Sequence, residues 1–431
     1  MYRKIMGFLE AWKENEHRKP LILQGARQVG KTYSILEFGR TCYENVAYFN
    51  FETNPKLNET FAENISPDYL IPILSHIAGQ TIIREKTLIV FDEVQLCERA
   101  LTSLKYFCED APEYHIIVAG SLLGVAVNRT RFSFPVGKVD MKTLYPMDME
   151  EFMLAMGEEQ LVELIKKCFQ TDTPMPAALH DAAMQLYRQY LVVGGMPECV
   201  MQFIQTKDYI LVRNTQNTIL ASYLNDMSKY NNLSEIKKTR LAYDNITVQL
   251  SKKNTRFQYK LIKKGGRASE FENAIEWLCL SGIVSQVYKV EQVKKPLENY
   301  RDIDAFKIYV SDLGLLCAKK ELLANDILYM VKELDDFKGG MAENYVNVQL
   351  SINGYHTYYW ESARGAEIDF VIQREGKLIP IEVKSADNTR AKSLKVYMDT
   401  YEPDYAIKLS AKNFAFEDRK KIVPLYAAFC I

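Results

Sequence analysis

A chain of 431 residues exceeds what one compact core of ordinary size holds, so roughly two to four domains are expected. Hydrophobic content of 48% and charged content of 25% exclude a disordered or fibrous polypeptide. A net charge of −1 excludes a uniformly basic protein, and eight cysteines without a C-x-x-C pair exclude a disulfide frame or zinc site as the organising feature.

The opening stretch, MYRKIMGFLEAWKENEHRKP, has no uninterrupted apolar run, and no later segment reaches the roughly 20 apolar residues of a membrane helix. A cytoplasmic protein with reduced thiols and no membrane contact is expected. Residues 1–150 then alternate short apolar runs with helical stretches: LILQ at 21, NVAYFNF at 45, TLIVFDE at 87 and HIIVAGS at 115. Continuous apolar runs such as LIVF predict fully buried strands of a parallel sheet covered by helices. Residues 151–230 turn helical, broken by TDTPMP and by Gly194, Gly195 and Pro197, and predict a helical lid. Residues 231–315 give short helices followed by the strand pair SQVYKVEQV and FKIYVSD, the order of a winged helix. Residues 316–431 predict helices, then strands in YHTYYWES, AEIDFVIQ and LIPIEVKS, a helix through AKSLKVYMDTY and a strand in DYAIKLSA.

The segment Gly25-Ala26-Arg27-Gln28-Val29-Gly30-Lys31-Thr32 matches G-x-x-x-x-G-K-[ST] between an apolar strand and a helix-forming stretch. Its glycines let successive backbone N–H groups turn inward on phosphates, with the helix N-terminus behind them. Lys31 is expected to reach the β- and γ-phosphates of ATP, and the Thr32 hydroxyl to ligate Mg²⁺. Asp92 and Glu93 follow the buried strand Leu88–Phe91. Asp92 is expected to hold the metal and Glu93 to polarise the attacking water. Ser121 ends the next apolar strand and is a candidate γ-phosphate contact, with helix capping as the equal alternative. Arg27, Arg129, Arg131 and Lys138 are the basic candidates for a finger or sensor, although exposed ion pairs are the commoner fate of such residues.

A second constellation lies near the C-terminus, where Asp369 in AEIDF precedes Glu382-Val383-Lys384 in IPIEVKS. Residues two apart on a strand share a face, so Glu382 and Lys384 point together. Such carboxylates can bind Mg²⁺ while the lysine stabilises a phosphorane or orients water. Glu343 on the preceding helix is a further candidate ligand, and Glu367 shares the face of Asp369. Between the two constellations, residues 252–267 carry Lys252, Lys253, Arg256, Lys260, Lys263, Lys264 and Arg267 without an acid, interleaved with Phe257 and Tyr259. This stretch is a candidate DNA-backbone surface or an ordinary solvated face.

Taken together, GARQVGKT, LIVFDEVQ, VAGSLLG, YLVVGGMPECV, FKIYVSDLGLL, FKGGMAENYV, AEIDFVI and IPIEVKS resemble a prokaryotic family of AAA-type ATPases with a C-terminal restriction-endonuclease-like domain of unknown function. The resemblance spans nearly the whole chain. It implies an α/β protein with an AAA-like P-loop sheet domain over 1–150, a helical lid over 151–230, a winged-helix-like domain over 231–315 and a PD-(D/E)xK nuclease-like domain over 316–431. The residues themselves lead to an ATPase using ATP and Mg²⁺ with DNA as a partner of the last two domains, and because AAA-type sites often lie at subunit interfaces a homo-oligomer is a candidate assembly. Two positions depart from the pattern. Gly137-Lys138 stands where many relatives carry Gly-Arg, and Ser393 to Tyr397 has the spacing of Q-x-x-x-Y without its glutamine.

Overall fold

The computed structural model describes residues 1–120, 135, 137–229, 233–250, 256–385 and 392–431. Ser121, Arg129, Arg131, Lys252 and Lys253 lie outside the described residues. The chain forms two compact units: Met1–Tyr145 with Leu280–Gly282, and Pro146–Cys279 with Ile283–Ile431.

The first unit carries β1 (Leu21–Gln24), β2 (Asn45–Asn50), β3 (Thr87–Asp92), β4 (His115–Ala119) and β5 (Asp140–Thr143), ordered β2-β3-β4-β1-β5 in one sheet. Every pair is parallel, and the helices Lys31–Cys42, Pro67–Ala78 and Glu98–Asp110 supply crossovers that parallel pairing requires. All six residues of β3 are buried, as a strand covered on both faces must be. Phe91 anchors the core, meeting Phe61, Phe51 and Phe49 at 5.5, 5.9 and 6.0 Å between ring centroids. Chain direction across the sheet reverses at β1, and open α/β sheets bind ligands beyond the carboxyl ends of strands at such a point. The edge strand β5 was not expected from the sequence. Its residues, DMKT, are all at least partly exposed and lack the apolar run that marked the other four.

In the second unit, five helices span Met149–Ala155, Glu159–Thr171, Ala177–Val193, Pro197–Thr206 and Tyr209–Lys229. Asp148 starts the first of them with a reciprocal capping box to Glu151. Residues 151–230 were expected as a lid of the nucleotide domain but fall in this unit. Tyr187 and Tyr190 pack edge-on against Tyr345 of helix Asp335–Ile352, at 4.8 and 5.8 Å. Helices Leu233–Leu250, Tyr259–Ile262 and Ala268–Leu280 then lead into β6 (Val284–Val290) and β7 (Arg301–Val310).

These strands join β8 (Tyr358–Glu361), β9 (Glu367–Arg374), β10 (Lys377–Val383), β11 (Ala406–Ser410), β12 (Ala415–Glu417) and β13 (Lys420–Pro424) in a sheet ordered β12-β13-β11-β10-β9-β8-β6-β7. Because β6 pairs antiparallel with β7 and parallel with β8, the hairpin expected as a wing continues the C-terminal sheet. The division drawn at 315/316 therefore runs through one hydrogen-bonded layer.

The motifs GGMP and SDLG, more than 100 residues apart in sequence, form one device. Asp312 caps helix Leu313–Lys319, accepting from Leu315 N at 2.8 Å, and its other oxygen accepts from Gly195 N at 2.6 Å. Gly194 has φ +77, and a Cβ there would lie 2.4 Å from Asp312 Oδ1, so only glycine fits. Burial pushes the Asp312 carboxyl up to about 6, although the backbone N–H groups of Leu315, Gly195, Gly314 and Met196 pull it down. A folded-state pKa above the unfolded value means that this group's stabilisation is complete below about pH 4 and is lost as pH climbs through about 6. The wild type should therefore lose on the order of 3 kcal/mol relative to Asp312→Asn between about pH 4 and pH 7. Denaturant titrations of both proteins at the two pH values measure this, and an unchanged gap would mean that the carboxyl titrates as it does in water.

Candidate functional site

The loop between β1 and helix Lys31–Cys42 is shaped by its glycines. Gly25 has φ +146, and a Cβ there would stand 2.1 Å from the Leu144 carbonyl oxygen. Gly30 has φ 92 and opens the helix at a left-handed position where a side chain would be strained. Gln28 also adopts a positive φ of 65. Lys31 is buried, and its Nζ donates to the carbonyls of Gly25 at 2.9 Å and Ala26 at 2.8 Å, so the ammonium is held within the loop.

The end of β3 faces the start of that helix. Asp92 is buried, and its Oδ2 accepts from the Thr32 hydroxyl at 2.9 Å and the Tyr48 hydroxyl at 2.7 Å, while Oδ1 accepts from Glu93 N at 3.0 Å. Asp92 and Thr32 are thus brought together from positions 60 residues apart. Mg²⁺ is commonly held by one or two protein oxygens plus phosphates and waters, and this pair fits that requirement. Glu93 has a left-handed backbone, φ 51, uncommon for a residue with a long side chain. Gln95 Nε2 donates to its carboxylate. Burial raises the Glu93 pKa, opposed by Gln95 and Lys31 and reinforced by Asp92 and Glu52. A carboxylate made more basic in this way is better suited to accept a proton from water.

Tyr48, on β2, was missed in the sequence. Its hydroxyl is pushed up to about 12, first by burial, so it stays a neutral donor to Asp92. Alternation within NVAYFNF marks a strand but gives no sign that this tyrosine meets a carboxylate 44 residues away. Among the basic candidates, Lys138 is ion-paired with Glu109 at 2.8 Å and Arg27 is partly buried in the loop.

In the second unit, Ile381 pairs with Phe370, so the next opposed positions on the antiparallel β9 and β10 are Glu382 and Asp369. Both are buried, and Val383 N donates to Asp369 Oδ2 at 2.7 Å. Lys384 Nζ lies 2.8 Å from Glu382 Oε1, as their shared strand face requires. Lys307, on β7, adds a cation that was not anticipated. It is 1% exposed, with Nζ 2.5 Å from Glu367 and 3.6 Å from Glu343 and the Tyr359 ring centroid at 5.0 Å. Tyr309 donates to Glu343 Oε2 at 3.1 Å. A lone lysine inside the apolar run AFKIYV was the one available signal.

Burial lifts the Asp369 carboxyl to about 7, with Glu343 adding to the rise and Lys307 and Lys384 opposing it. Lys307 itself stays protonated: burial works against the charge, but Tyr309, Glu343, Glu367 and Asp369 outweigh it. Among the described residues, no group of three or more His, Cys, Asp or Glu is placed to hold a metal ion. Glu343, Asp369 and Glu382, expected as ligands, do not gather in that way. Lysines are paired with Glu343 and Glu382 in this arrangement.

In the basic stretch, Arg256, Lys260, Lys263, Lys264 and Arg267 are exposed. Lys263 pairs with Glu270 at 3.0 Å. Phe257 is buried and stacked on Phe306 at 5.5 Å, so it serves the core, while the partly buried Tyr259 lies edge-on to the same ring at 6.1 Å. No helix among the described residues is long and apolar enough to cross a membrane.

Comparison with known families matches residues 17–153 to an AAA domain, residues 184–326 to domain of unknown function DUF8612 and residues 338–428 to domain of unknown function DUF4143. No curated protein matches the chain. Among solved structures, the chain is similar to a Walker-type ATPase of Pyrococcus abyssi, at 13% identity over 74% of this chain and 95% of the other, with a TM-score of 0.45. It is also similar to the ORC2 protein of Aeropyrum pernix (10%, 76% and 95%, TM-score 0.37) and to Cdc6p of Pyrobaculum aerophilum (14%, 76% and 92%, TM-score 0.26). The AAA match and the loop built on β1 agree: the N-terminal region is an AAA-type P-loop ATPase domain.

Lys31 is held by the phosphate loop's own carbonyls at Gly25 and Ala26. Replacing it with Ala should weaken ATP binding roughly 10- to 100-fold, the worth of a charge-assisted hydrogen bond or two. Isothermal titration with ATP and Mg²⁺ measures the loss, and unchanged affinity would mean that the lysine does not meet the phosphates.

Proposed function

We propose that the chain binds and hydrolyses ATP at the P-loop and that its nucleotide state governs a C-terminal nuclease-like domain directed at DNA. The observation that carries this reading is the hydrogen bond between Thr32 and Asp92, which joins the two halves of the phosphate motif beside Lys31 and Glu93. In this reading the backbone of Gly25, Ala26, Arg27, Gln28, Val29 and Gly30 cradles the phosphates, with Ser121 as a further contact. Lys31 leaves its loop carbonyls for the β- and γ-phosphates. Thr32 and Asp92 hold Mg²⁺, which neutralises phosphate charge when bound, while Tyr48 keeps the Asp92 carboxylate in place. Glu93 accepts the proton of the attacking water.

DNA contact is assigned to the exposed cations Arg256, Lys260, Lys263, Lys264 and Arg267 of the winged-helix-like segment. Asp369, Glu382 and Lys384 form the core of the nuclease-like domain. A cytoplasmic homo-oligomer completes the proposal.

A second reading has a specific observation in its favour. Lys384 is bound to Glu382, and Lys307 lies beside Glu343 and Glu367, so the acidic residues already have cations at hand. This supports an ATP-dependent switch whose C-terminal region recognises DNA or a protein partner without cutting it.

One assay separates these readings: purified protein with ATP, Mg²⁺ or Mn²⁺ and plasmid DNA, following phosphate release and DNA integrity together. Glu93→Gln should retain ATP binding but lose phosphate release by roughly 100-fold or more. Nicking lost in Asp369→Ala would establish a working nuclease. Phosphate release with intact DNA would establish the switch, and no phosphate release from the wild type would overturn the ATPase reading.

A further inference from the structure

Lys307 and Glu367 belong to strands three places apart in the sheet order, a separation of roughly 14 Å in a flat sheet. Their 2.5 Å approach therefore requires the sheet to coil until β7 returns toward β9. Tyr309, two residues along β7 on the same face, follows the same path: its ring lies 5.8 Å from that of Phe370 and its hydroxyl bonds Glu343. A strand from the hairpin thus delivers a fully buried ammonium to the carboxylates of the nuclease-like centre.

The surroundings of that ammonium are not those of an ordinary surface ion pair. Lys307 is 1% exposed, and its charge is balanced by Glu367 and Glu343 with the Tyr359 ring on one side. Among the described residues its Nζ makes no hydrogen bond of good geometry, and Glu382 Oε2, on a residue 2% exposed, has no hydrogen-bond partner either. Carboxylates buried in this number need cations close by, and Lys307 and Lys384 supply them. A divalent ion ligated by Glu343 would stand within a few ångströms of Nζ and be repelled by it.

We infer that Lys307 is the resident counter-cation of this acidic centre, occupying with its ammonium the electrostatic place of a divalent metal, so that the centre does not bind metal while Lys307 is seated. The inference rests on the nuclease-like reading of the C-terminal domain. It goes beyond that reading in naming the group that keeps the centre free of metal.

Mn²⁺ binding to the full-length chain, followed by the electron paramagnetic resonance of the free ion in the absence of nucleotide, tests it. The proteins are the wild type, Lys307→Met and the double variant Lys307→Met/Glu367→Gln, each measured both with Asp369 intact and with Asp369→Asn added. The double variant removes one charge of each sign, so it keeps the centre's net charge if Lys307→Met alone fails to fold. The expected result is no Asp369-dependent site in the wild type, and a site at least about tenfold tighter in one or both Lys307 variants that Asp369→Asn abolishes. An Asp369-dependent site already present in the wild type and not tightened by Lys307→Met would overturn the inference while leaving the nuclease-like reading intact. Folded Lys307 variants that bind no Mn²⁺ at this centre would overturn both.

Discussion

A carboxylate taken out of water needs a full set of donors or an opposite charge, and this constraint shapes both units. Asp92, Asp312 and Asp369 are all buried, and each is met by at least one backbone N–H: from Glu93, from Gly195 and Leu315, and from Val383. What else meets the carboxylate differs. Hydroxyls of Thr32 and Tyr48 complete the shell of Asp92, leaving a site whose partners can turn toward a ligand. Backbone N–H groups meet Asp312 and tie Gly195 to the start of helix Leu313–Lys319. Around Asp369 the compensation includes lysines, which makes that centre electrostatically closed.

The parts of the fold that could be read from the sequence are those where local pattern and tertiary environment agree. Leu88–Phe91 is a continuous apolar run because helices cover both faces of its strand, and the phosphate loop declares itself through glycines that no other residue can replace. At β5 this agreement fails, since an edge strand of polar residues resembles a loop until its partner is known. The sheet that runs from β6 to β13 was read as two domains for a related reason. Parallel pairing of β6 with β8 joins segments 70 residues apart and leaves no mark on either one.

Candidate sites show the same division. Strand alternation was enough to place Glu382 and Lys384 on one face, and the structure finds them 2.8 Å apart. It could not place Lys307, because that contact depends on coiling across three strand spacings. Motif reading singled out GGMP and SDLG but could not assign them a role, which lies in a contact between Gly195 N and a carboxylate 117 residues away. The basic stretch around Phe257 and Tyr259 reads from composition as a DNA surface or a solvated face, and nothing in it shows that Phe257 is buried on Phe306.

The close approach at Gly25 has a bearing on how the phosphate loop keeps its shape. Its Cα faces the carbonyl of Leu144, whose own N–H donates to Gln24 O at 2.8 Å, so the residue just past β5 forms one wall of the loop. That wall hangs on the most solvent-exposed strand of the sheet, a segment of the kind that opens locally well before the buried strands do. Fraying of this edge would release the loop's curvature without disturbing β1 or β3, leaving nucleotide affinity sensitive to substitutions at Asp140, Met141 and Lys142, none of which touches a phosphate-binding residue by motif. Ligand binding would in turn slow amide exchange along β5, making the polar edge a remote reporter of what the loop holds.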